Sequence, residues 1–272
     1  MILLTLRLII FLAVLQGVTE FIPVSSSGHL AIAQLLLPSF KEPAVVFDLF
    51  LHLGTLLATI LYFWKELSKM IYFFFSHLSR PKQIVLISYD SNNYIPQILI
   101  TTLITGAIAF PLKNTAEKAF YNLHYIIVAY FVTAFLLFIT QFRRTSVKDI
   151  ITYKDAILIG LIQGMAIFPG LSRSGSTIAI ALILGIERKK AFTYSFLISL
   201  PVIGGAFIIE CLPMVTVISH YLTQYLLGSF ISLLTGYVSL MLLSRIIATS
   251  KVHYFAYYCA ALALSVLVYV LL

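Results

Sequence analysis

The stretch QGVTEFIPVSSSGH, residues 16–29, places a carboxylate, a proline, three serines, a glycine and a histidine inside an otherwise apolar region. Gln16 and Glu20 are four residues apart, so on a helix they share one face. Pro23 ends that helix, because proline lacks a backbone N–H and clashes with the preceding turn. The serines that follow are favoured N-cap residues and predict a second helix. The stretch therefore predicts a helix, a break and a helix, with polar groups gathered at the break.

A second stretch, QGMAIFPGLSRSG, residues 163–175, repeats the first at an offset of 147 residues. Its charged positions differ, because Ile167 replaces Glu20 and Arg173 replaces Ser26. We expect two halves that share a scaffold, one supplying an acid and a histidine and the other an arginine. Six residues recur at this offset: Gln16, Gly17, Phe21, Ser25, Ser27 and Gly28 become Gln163, Gly164, Phe168, Ser172, Ser174 and Gly175.

The composition places the chain in a membrane. Of its 272 residues, 61% are hydrophobic and 10% are charged, whereas soluble domains carry roughly 25% charged residues. The apolar runs of about 20 residues fit membrane helices rather than the alternating strands of a barrel. In a membrane protein the net charge of +8 is better explained as an orientation signal than as a nucleic-acid footprint, so no nucleic-acid partner is expected.

The hydropathy pattern predicts an all-α polytopic membrane protein. Two pairs of shorter segments flank the breaks, residues 1–20 with 26–37 and residues 156–169 with 174–186, and each pair predicts a re-entrant helix hairpin. Residues 70–78 predict a short aromatic segment at the interface. The six predicted transmembrane helices are residues 44–64, 95–112, 123–141, 191–211, 221–246 and 252–272.

Three spans separate the hairpins, and an odd number inverts the second half relative to the first. This predicts an inverted-topology repeat in a single membrane domain, residues 1–272, with repeat one about 1–142 and repeat two about 155–272. Under this topology thirteen lysines and arginines fall on one side and four on the other. The positive-inside rule then places both termini and the mouth of the first hairpin outward. The four outward residues are Arg7, Lys41, Lys113 and Lys118.

The polar residues at the breaks suggest an anion site. Glu20 in hydrocarbon would cost on the order of 2.5–3.5 kcal/mol without a cavity or partner; the alternative is an interfacial glutamate at a helix end. Residues 25–28 and 172–175 each precede a half-helix, whose free N–H groups and positive dipole end would attract an anion. Ordinary serine caps are the alternative. Arg173 suits bidentate phosphate binding, with a snorkelling arginine as the alternative.

Three further side chains are considered for catalytic or anion-binding roles. His29 follows Ser26 by three residues, which favours a nucleophile–base pair at the helix start over a packed histidine. Thr177 could donate its hydroxyl to the anion. His52 is expected to pack within a span.

With these motifs the chain resembles the undecaprenyl-diphosphatase family, the bacitracin-resistance family of integral membrane phosphatases. The resemblance rests on QGVTEFIPVSSSGH and PGLSRSGST in this order, and on the hydropathy pattern of essentially the whole chain. The family's acidic motif is Glu or Gln, three residues, then Glu. It is matched by Gln16 and Glu20, so the first position is the neutral variant and leaves one carboxylate.

The resemblance implies hydrolysis of undecaprenyl diphosphate to undecaprenyl phosphate and inorganic phosphate. The product carries precursors for cell-wall (peptidoglycan) synthesis, which links the activity to cell shape and bacitracin resistance. A divalent cation, Mg²⁺ or Ca²⁺, would be held by Glu20 and Gln16. Ser26, His29 or water could attack the phosphate. The implied catalytic residues are Glu20, Ser26, His29 and Arg173, and the implied substrate-binding residues are Gln16, Ser25, Ser27, Gly28, Ser172, Ser174, Gly175 and Thr177.

Two other functions are compatible with the pattern. Inverted repeats with facing half-helices are typical of secondary transporters, so a polyprenyl-phosphate flippase is the main alternative. A structural membrane protein would leave Glu20, His29 and Arg173 unexplained. The expected partners are a polyprenyl diphosphate lipid, the bilayer and a possible second copy of the chain. The expected location is the inner (plasma) membrane of a bacterium.

Overall fold

The computed structural model describes residues 6–37, 44–78, 94–142, 148–249 and 251–272. These ranges are helical, with short turns between helices and no β-strand within them, and the chain is an all-α polytopic membrane protein as predicted. The α-helices of the described ranges are α1 Leu6–Phe21, α2 Ser26–Leu36, α3 Ala44–Tyr62, α4 Trp64–Leu78, α5 Ile95–Phe120, α6 Leu123–Ile139, α7 Tyr153–Met165, α8 Arg173–Ile183, α9 Arg188–Leu197, α10 Ser199–Cys211, α11 Val215–Ala248 and α12 Tyr254–Leu271.

Among the described residues, five helical segments are long and apolar enough to cross a membrane, or six if the bent pair α3–α4 forms one span. The predicted span 44–64 ends at Tyr62, because the helix axis turns by 75° and Trp64 begins α4. The predicted interfacial segment, residues 70–78, is therefore the second half of a longer helix. Helix α5 also continues past the predicted end at residue 112, to Phe120.

The predicted span 191–211 is not one continuous helix. It contains α9 and α10, which meet at Ile198. Pro201 accounts for the break, because it has no N–H and its ring clashes with the carbonyl of Leu197, four residues earlier. Further along, α11 bends at Tyr221, whose φ of −115° and ψ of 18° are not helical.

The first helix of each predicted hairpin packs against a long helix of the other half. Helix α1 crosses α11 at Gly17, where a methyl group would overlap Thr235 and the backbone of Gly236. Helix α7 crosses α5 at Gly164, where a methyl group would lie 2.5 Å from Ile108 Cβ. The repeated Gln-Gly dipeptides thus mark two equivalent helix crossings, because small residues let helix backbones approach closely inside a membrane.

Hydroxyl groups join the same crossings. Thr101 Oγ1 on α5 donates to the carbonyl of Ala156 on α7 at 3.0 Å, and Ser239 Oγ on α11 donates to the carbonyl of Val18 on α1 at 2.9 Å. Such bonds between membrane helices contribute about 0.6 kcal/mol each on average. Helices α6 and α12 also pack together, one from each half. This exchanged packing brings the two helix breaks to the same place.

Candidate active site

Both helix breaks are capped by the serine that the sequence predicted. Ser25 is the N-cap of α2 and its Oγ accepts a hydrogen bond from Gly28 N at 3.3 Å. Ser172 is the N-cap of α8 and its Oγ accepts from Gly175 N at 3.0 Å. The predicted caps are confirmed, and each uses the Ser-x-x-Gly spacing that the two stretches share.

The two breaks touch each other, as expected for an inverted repeat whose broken helices meet within the membrane. Gly170 N in the second break donates to Ser25 Oγ in the first at 3.1 Å. A methyl group at Gly28 would lie 2.8 Å from the Cα of Gly170, so the two backbones are in direct contact. Gly170 also has a φ of +94°, a conformation that glycine adopts without the steric cost other residues meet. Glycine at these two positions is therefore a condition for assembling one site from two repeats.

One face of α6 supports both breaks. Thr133 Oγ1 donates to the carbonyl of Gly170 at 2.8 Å and accepts from Ser172 N at 3.0 Å. One turn earlier, the Tyr130 hydroxyl donates to the carbonyl of Ser25 at 3.3 Å. Ser25 has a φ of +66°, which is uncommon for a residue other than glycine and costs free energy. The contacts with α6 and with Gly170 hold it there. The sequence analysis did not identify Tyr130 and Thr133. The signal that could have identified them is the presence of polar side chains within a predicted span.

Glu20 is the centre of the site. Its side chain is 7% exposed, and its Oε1 lies 2.6 Å from Nη2 of Arg173, which belongs to the other repeat. Its Oε2 accepts from Ser26 Oγ at 2.5 Å and from Gln16 Nε2 at 3.1 Å. A buried carboxylate is costly unless it is paired and hydrogen-bonded, and here both oxygens are. The structure thus brings Gln16, Glu20, Ser26 and Arg173 together.

Arg173 is positioned from a third direction by α9. Its Nη1 lies 3.5 Å from the carbonyl oxygen of Ser195, and its guanidinium carbon lies 5.7 Å from the ring centre of Phe196. A guanidinium beside an aromatic ring gains a cation–π attraction. The Arg173 side chain keeps 16% of its surface exposed, so a ligand can reach it. Nothing in the sequence pattern had indicated Ser195 or Phe196.

Thr177 is occupied by contacts within the protein, and its substrate-binding role stays a prediction. It is fully buried, and its hydroxyl is bonded to the carbonyl of Arg173 at 2.8 Å and to Ser195 Oγ at 2.6 Å. Its contacts place it behind Arg173, supporting the start of α8. Ser174 is also buried, and its Oγ donates to the backbone carbonyl of Glu20 at 3.3 Å. Ser27 is partly exposed, and its Oγ lies 3.4 Å from Ser25 Oγ.

The predicted Ser26–His29 pair is not formed. His29 Nδ1 lies 2.8 Å from both the carbonyl of Ser25 and the Tyr130 hydroxyl, and Nε2 lies 2.8 Å from the Tyr258 hydroxyl. Both ring nitrogens are therefore directed at groups other than the Ser26 hydroxyl. The three-residue spacing places the two residues on one helical turn, but Ser26 bonds Glu20 instead. A catalytic role for His29 stays a prediction, and its contacts with α6 and α12 indicate that it positions the break.

His52 was interpreted as a packing residue, and this interpretation is wrong. Its Nε2 lies 3.6 Å from Glu20 Oε2, and its side chain is 26% exposed. Its Nδ1 bonds the carbonyl of Asp48, one turn earlier on α3, at 2.8 Å. The Asp48 carboxylate is buried and accepts from Gln34 Nε2 at 2.9 Å. Two ionisable residues four apart within an apolar span were the signal that could have identified this edge of the site.

The donors around Glu20 are compatible with a hard divalent cation. Gln16 Oε1 is buried and has no hydrogen-bond partner in the described structure, so an oxygen ligand beside the carboxylate is left free. The described residues contain no group of three or more His, Cys, Asp or Glu side chains that could hold a metal by itself. Mg²⁺ is commonly bound by one or two carboxylates and completed by substrate phosphates. The residues therefore fit an ion that phosphate oxygens complete.

The chemistry of this arrangement follows from its three charged or polar groups. A hydroxyl in contact with a carboxylate can lose its proton, and a guanidinium can stabilise negative charge that develops on a neighbouring phosphate. The starts of α2 and α8 also place the positive ends of two helix dipoles at the breaks. The fold and the site define a polytopic membrane protein with a buried centre suited to phosphoryl chemistry.

Comparison with known proteins agrees with this class. The chain belongs to the bacitracin resistance protein BacA family, whose family model matches residues 9–265. It is 38% identical to the undecaprenyl-diphosphatase of Thermosipho africanus over 257 residues, covering 94% of this chain and 96% of that protein. It is 36% identical to proteins of the same name from Syntrophotalea carbinolica, covering 92% and 93%, and from Methanosphaera stadtmanae, covering 94% of each.

Proposed function

We propose that this chain hydrolyses undecaprenyl diphosphate to undecaprenyl phosphate and inorganic phosphate, recycling the lipid carrier for cell-wall synthesis and giving bacitracin resistance. The observation that carries the proposal is the contact of one buried carboxylate, Glu20, with Ser26 at 2.5 Å and with Arg173 at 2.6 Å. The family relationship supports it, since the relatives are named undecaprenyl-diphosphatase. A flippase without hydrolysis would not need a hydroxyl held against a carboxylate.

In the proposed mechanism Ser26 Oγ attacks the terminal phosphorus. Glu20 Oε2, which already accepts its hydrogen bond, takes the proton. A bond forms between Ser26 Oγ and phosphorus, the bond from phosphorus to the bridging oxygen breaks, and undecaprenyl phosphate leaves with the electron pair. Water then attacks the phosphoserine and loses a proton to solvent, the bond from phosphorus to Oγ breaks, and Oγ takes its proton back from Glu20, so inorganic phosphate leaves and the serine hydroxyl and the carboxylate are restored.

Arg173 would change partner when substrate binds. In the structure it is paired with Glu20 Oε1, and a diphosphate offers the same guanidinium two or more anionic oxygens. Arginine forms bidentate bonds with phosphate, so the incoming group competes with the carboxylate. Moving Arg173 to the phosphate would place its charge where negative charge develops and would leave Glu20 ready to accept the proton.

A divalent cation, Mg²⁺ or Ca²⁺, completes the proposal. Glu20 and Gln16 Oε1 would hold it, and when bound it would neutralise charge on the phosphate oxygens. The protein supplies the other contacts. The two helix starts orient the phosphate, and α9 supports the Arg173 side chain.

The test is phosphate release by purified protein in detergent, where no compartments exist for a transporter to connect. We expect inorganic phosphate from undecaprenyl diphosphate in the presence of Mg²⁺ or Ca²⁺, and loss of release with chelator. Rapid quenching with substrate labelled in its terminal phosphate should trap phosphoserine at Ser26. Lipid transport in vesicles without any hydrolysis would replace the proposal with a flippase. Turnover without a trapped phosphoserine would favour direct attack by water.

The orientation is also part of the proposal. Inverted repeats, with both termini and the mouth of the site outward in an inner (plasma) membrane, follow from the distribution of basic residues rather than from the helix geometry. Single cysteines replace Asn114 and Ser146 in a chain lacking Cys211 and Cys259. The first should react with an impermeant thiol reagent in intact cells and the second should not. The reverse labelling would mean that the topology is inverted.

Association with a second copy of the chain, into a homodimer, is the last part of the proposal. Mass measurement of the purified protein in detergent tests it, and a monomer at all concentrations would remove it without affecting the catalytic site.

A further inference from the structure

His52 places a ring nitrogen beside the Glu20 carboxylate at the centre of the site. Its Nδ1 bonds the backbone carbonyl of Asp48 at 2.8 Å, and that bond fixes the ring so that Nε2 is directed at Glu20 Oε2, 3.6 Å away. A carbonyl only accepts, so Nδ1 carries the hydrogen, and in the neutral ring Nε2 then presents its lone pair. Among the described residues, His52 Nε2 makes no hydrogen bond.

This arrangement is the one that metal-binding histidines use. Such histidines almost always give their other ring N–H to a carbonyl or carboxylate, which fixes the tautomer and the ring orientation. Two neighbouring ligands of an octahedral ion, each about 2.1 Å from it, are about 3.0 Å apart. The 3.6 Å separation of His52 Nε2 and Glu20 Oε2 is therefore within about 0.6 Å of the spacing of two ligands of one ion.

Two further observations point to a shared ion. Gln16 Oε1 is buried without a hydrogen-bond partner, although the other end of the same amide bonds Glu20. Arg173 already balances the charge of Glu20 through Oε1, so Oε2 faces the side on which Gln16, Ser26 and His52 converge. The His52 side chain is 26% exposed, which leaves a path for an ion to enter.

We propose that His52 Nε2 is a ligand of the divalent cation, together with the Glu20 carboxylate and Gln16 Oε1, and that it shifts the preference of the site away from Ca²⁺ toward ions that accept nitrogen. The inference rests on the proposed function only in taking Glu20 as the cation-binding residue. Imidazole suits transition metals, whereas Ca²⁺ takes oxygen ligands alone. Among ions that also bind oxygen-rich sites, Mn²⁺ is the useful probe because it is paramagnetic.

The test is electron spin-echo spectroscopy of Mn²⁺ added alone to the purified full chain. Nitrogen modulation is expected in the wild type, and it should change when the protein is labelled with ¹⁵N-histidine. This comparison involves no substitution, so it does not depend on whether a variant folds. In His52→Gln the modulation should disappear, and Mn²⁺ affinity should fall by about tenfold or more while Ca²⁺ affinity changes less than about threefold.

His124→Gln is the matched control. His124 is exposed in the first turn of α6, where its backbone N–H donates to Asn122 Oδ1 at 3.0 Å. It should keep the nitrogen modulation and both affinities. Failure to bind Mn²⁺, oxygen-only coordination in the wild type, or modulation that survives in His52→Gln would overturn the inference.

Phosphate release separates this inference from the proposed function. Hydrolysis by a protein whose Mn²⁺ has oxygen ligands only would overturn the role of His52 and leave the phosphatase intact. Nitrogen-coupled Mn²⁺ in a protein that hydrolyses nothing with any cation would support the role of His52 and overturn the phosphatase.

Discussion

The two helix breaks share a backbone design and differ in charge. Ser25 and Ser172 cap their helices in the same way, and the Oγ of each lies 3.4 Å from that of the serine two residues later. Ser26 and Arg173 then occupy the same first helical position at the repeat offset. Both contact the single carboxylate of Glu20, one at each oxygen. The same cap geometry thus presents a hydroxyl group from one side and a guanidinium from the other.

Because the two breaks carry different charges, the site needs both repeats. The first break holds an acid and a hydroxyl but no cation, and the second holds a cation but no acid, since Ile167 stands at the position of Glu20. Neither break alone can balance a buried charge, and an unpaired buried charge is strongly destabilising. Pairing Glu20 with Arg173 across the breaks therefore stabilises the fold and assembles the site with one contact.

Replacing Glu20 should have the largest effect, because it contacts residues of both breaks. In Glu20→Gln the first break loses its proton acceptor and the second loses the ionic partner of Arg173. Turnover should fall by at least about 10⁴-fold, the upper end of the range for a positioned base. Phosphate release at saturating substrate measures it, and added Mg²⁺ should not restore it. The control is Glu117→Gln, since Glu117 is exposed on α5. Near-normal turnover of the Glu20 variant at low metal would remove Glu20 from the mechanism.

Ser26→Ala tests the other half of the first break. If Ser26 attacks phosphorus, turnover should fall by about 10³-fold, because the remaining groups could only assist water. Trapping with labelled substrate should then yield no phosphoserine. Ser244→Ala, on α11 far along the chain, is a control that removes a hydroxyl bonded only to its own helix. A Ser26 variant that keeps a tenth of the activity would assign the attack to water.

The second break is tested by Arg173→Lys, which keeps the charge and removes the planar fork. If the fork stabilises the transition state, kcat should fall by about 10²-fold while KM changes little. Arg245→Lys, at an exposed position near the end of α11, should change neither constant. An increase in KM with unchanged kcat would show that Arg173 binds substrate and transition state equally.

The sequence predicted what the repeats encode locally. The caps at Ser25 and Ser172 and the breaks follow from short-range rules on serine, proline and glycine, and the meeting of the two repeats follows from the inverted repeat that the sequence predicts. The contacts that complete the site do not. Thr133 and Ser195 approach from helices without any motif, and a contact between distant helices leaves no periodic signal in one sequence.

His52 and His29 show how spacing misled the prediction. His29 adjoins the serine cluster in sequence, yet its ring is bonded to Tyr130 and Tyr258. His52 stands in an apolar span far from both motifs, yet it reaches Glu20. Proximity along the chain decided both interpretations, whereas packing of α3 and α12 decides the contacts. The rule that ionisable residues inside a membrane are functional would have ranked His52 higher.

A smaller effect is expected where α6 holds the second break. Thr133→Val would leave the N–H of Ser172 and the carbonyl of Gly170 without their buried partner. Each unsatisfied group costs about 1–3 kcal/mol, so the midpoint of thermal unfolding in detergent should fall by on the order of 5 °C. Thr102→Val, which removes only a bond within α5, is the control. An unchanged midpoint for both variants would mean that water replaces the threonine.

The smallest effect is expected from Tyr258→Phe, and it decides the role of His29 in the first break. The substitution removes one hydrogen bond, to His29 Nε2 at 2.8 Å, and leaves the bonds of Nδ1 to Ser25 and Tyr130. If His29 only positions the break, the loss is that of one hydrogen bond, about 0.5–1.5 kcal/mol, so turnover should fall by less than about tenfold. The dependence of kcat on pH should keep its shape, because no proton in the reaction passes through the ring. If His29 exchanges a proton during catalysis, removing the group that faces Nε2 must change the limb of the pH profile that the imidazole controls. A profile with an altered limb would therefore restore His29 as an acid or base, and the first break would then hold two proton-transfer groups against the one guanidinium of the second.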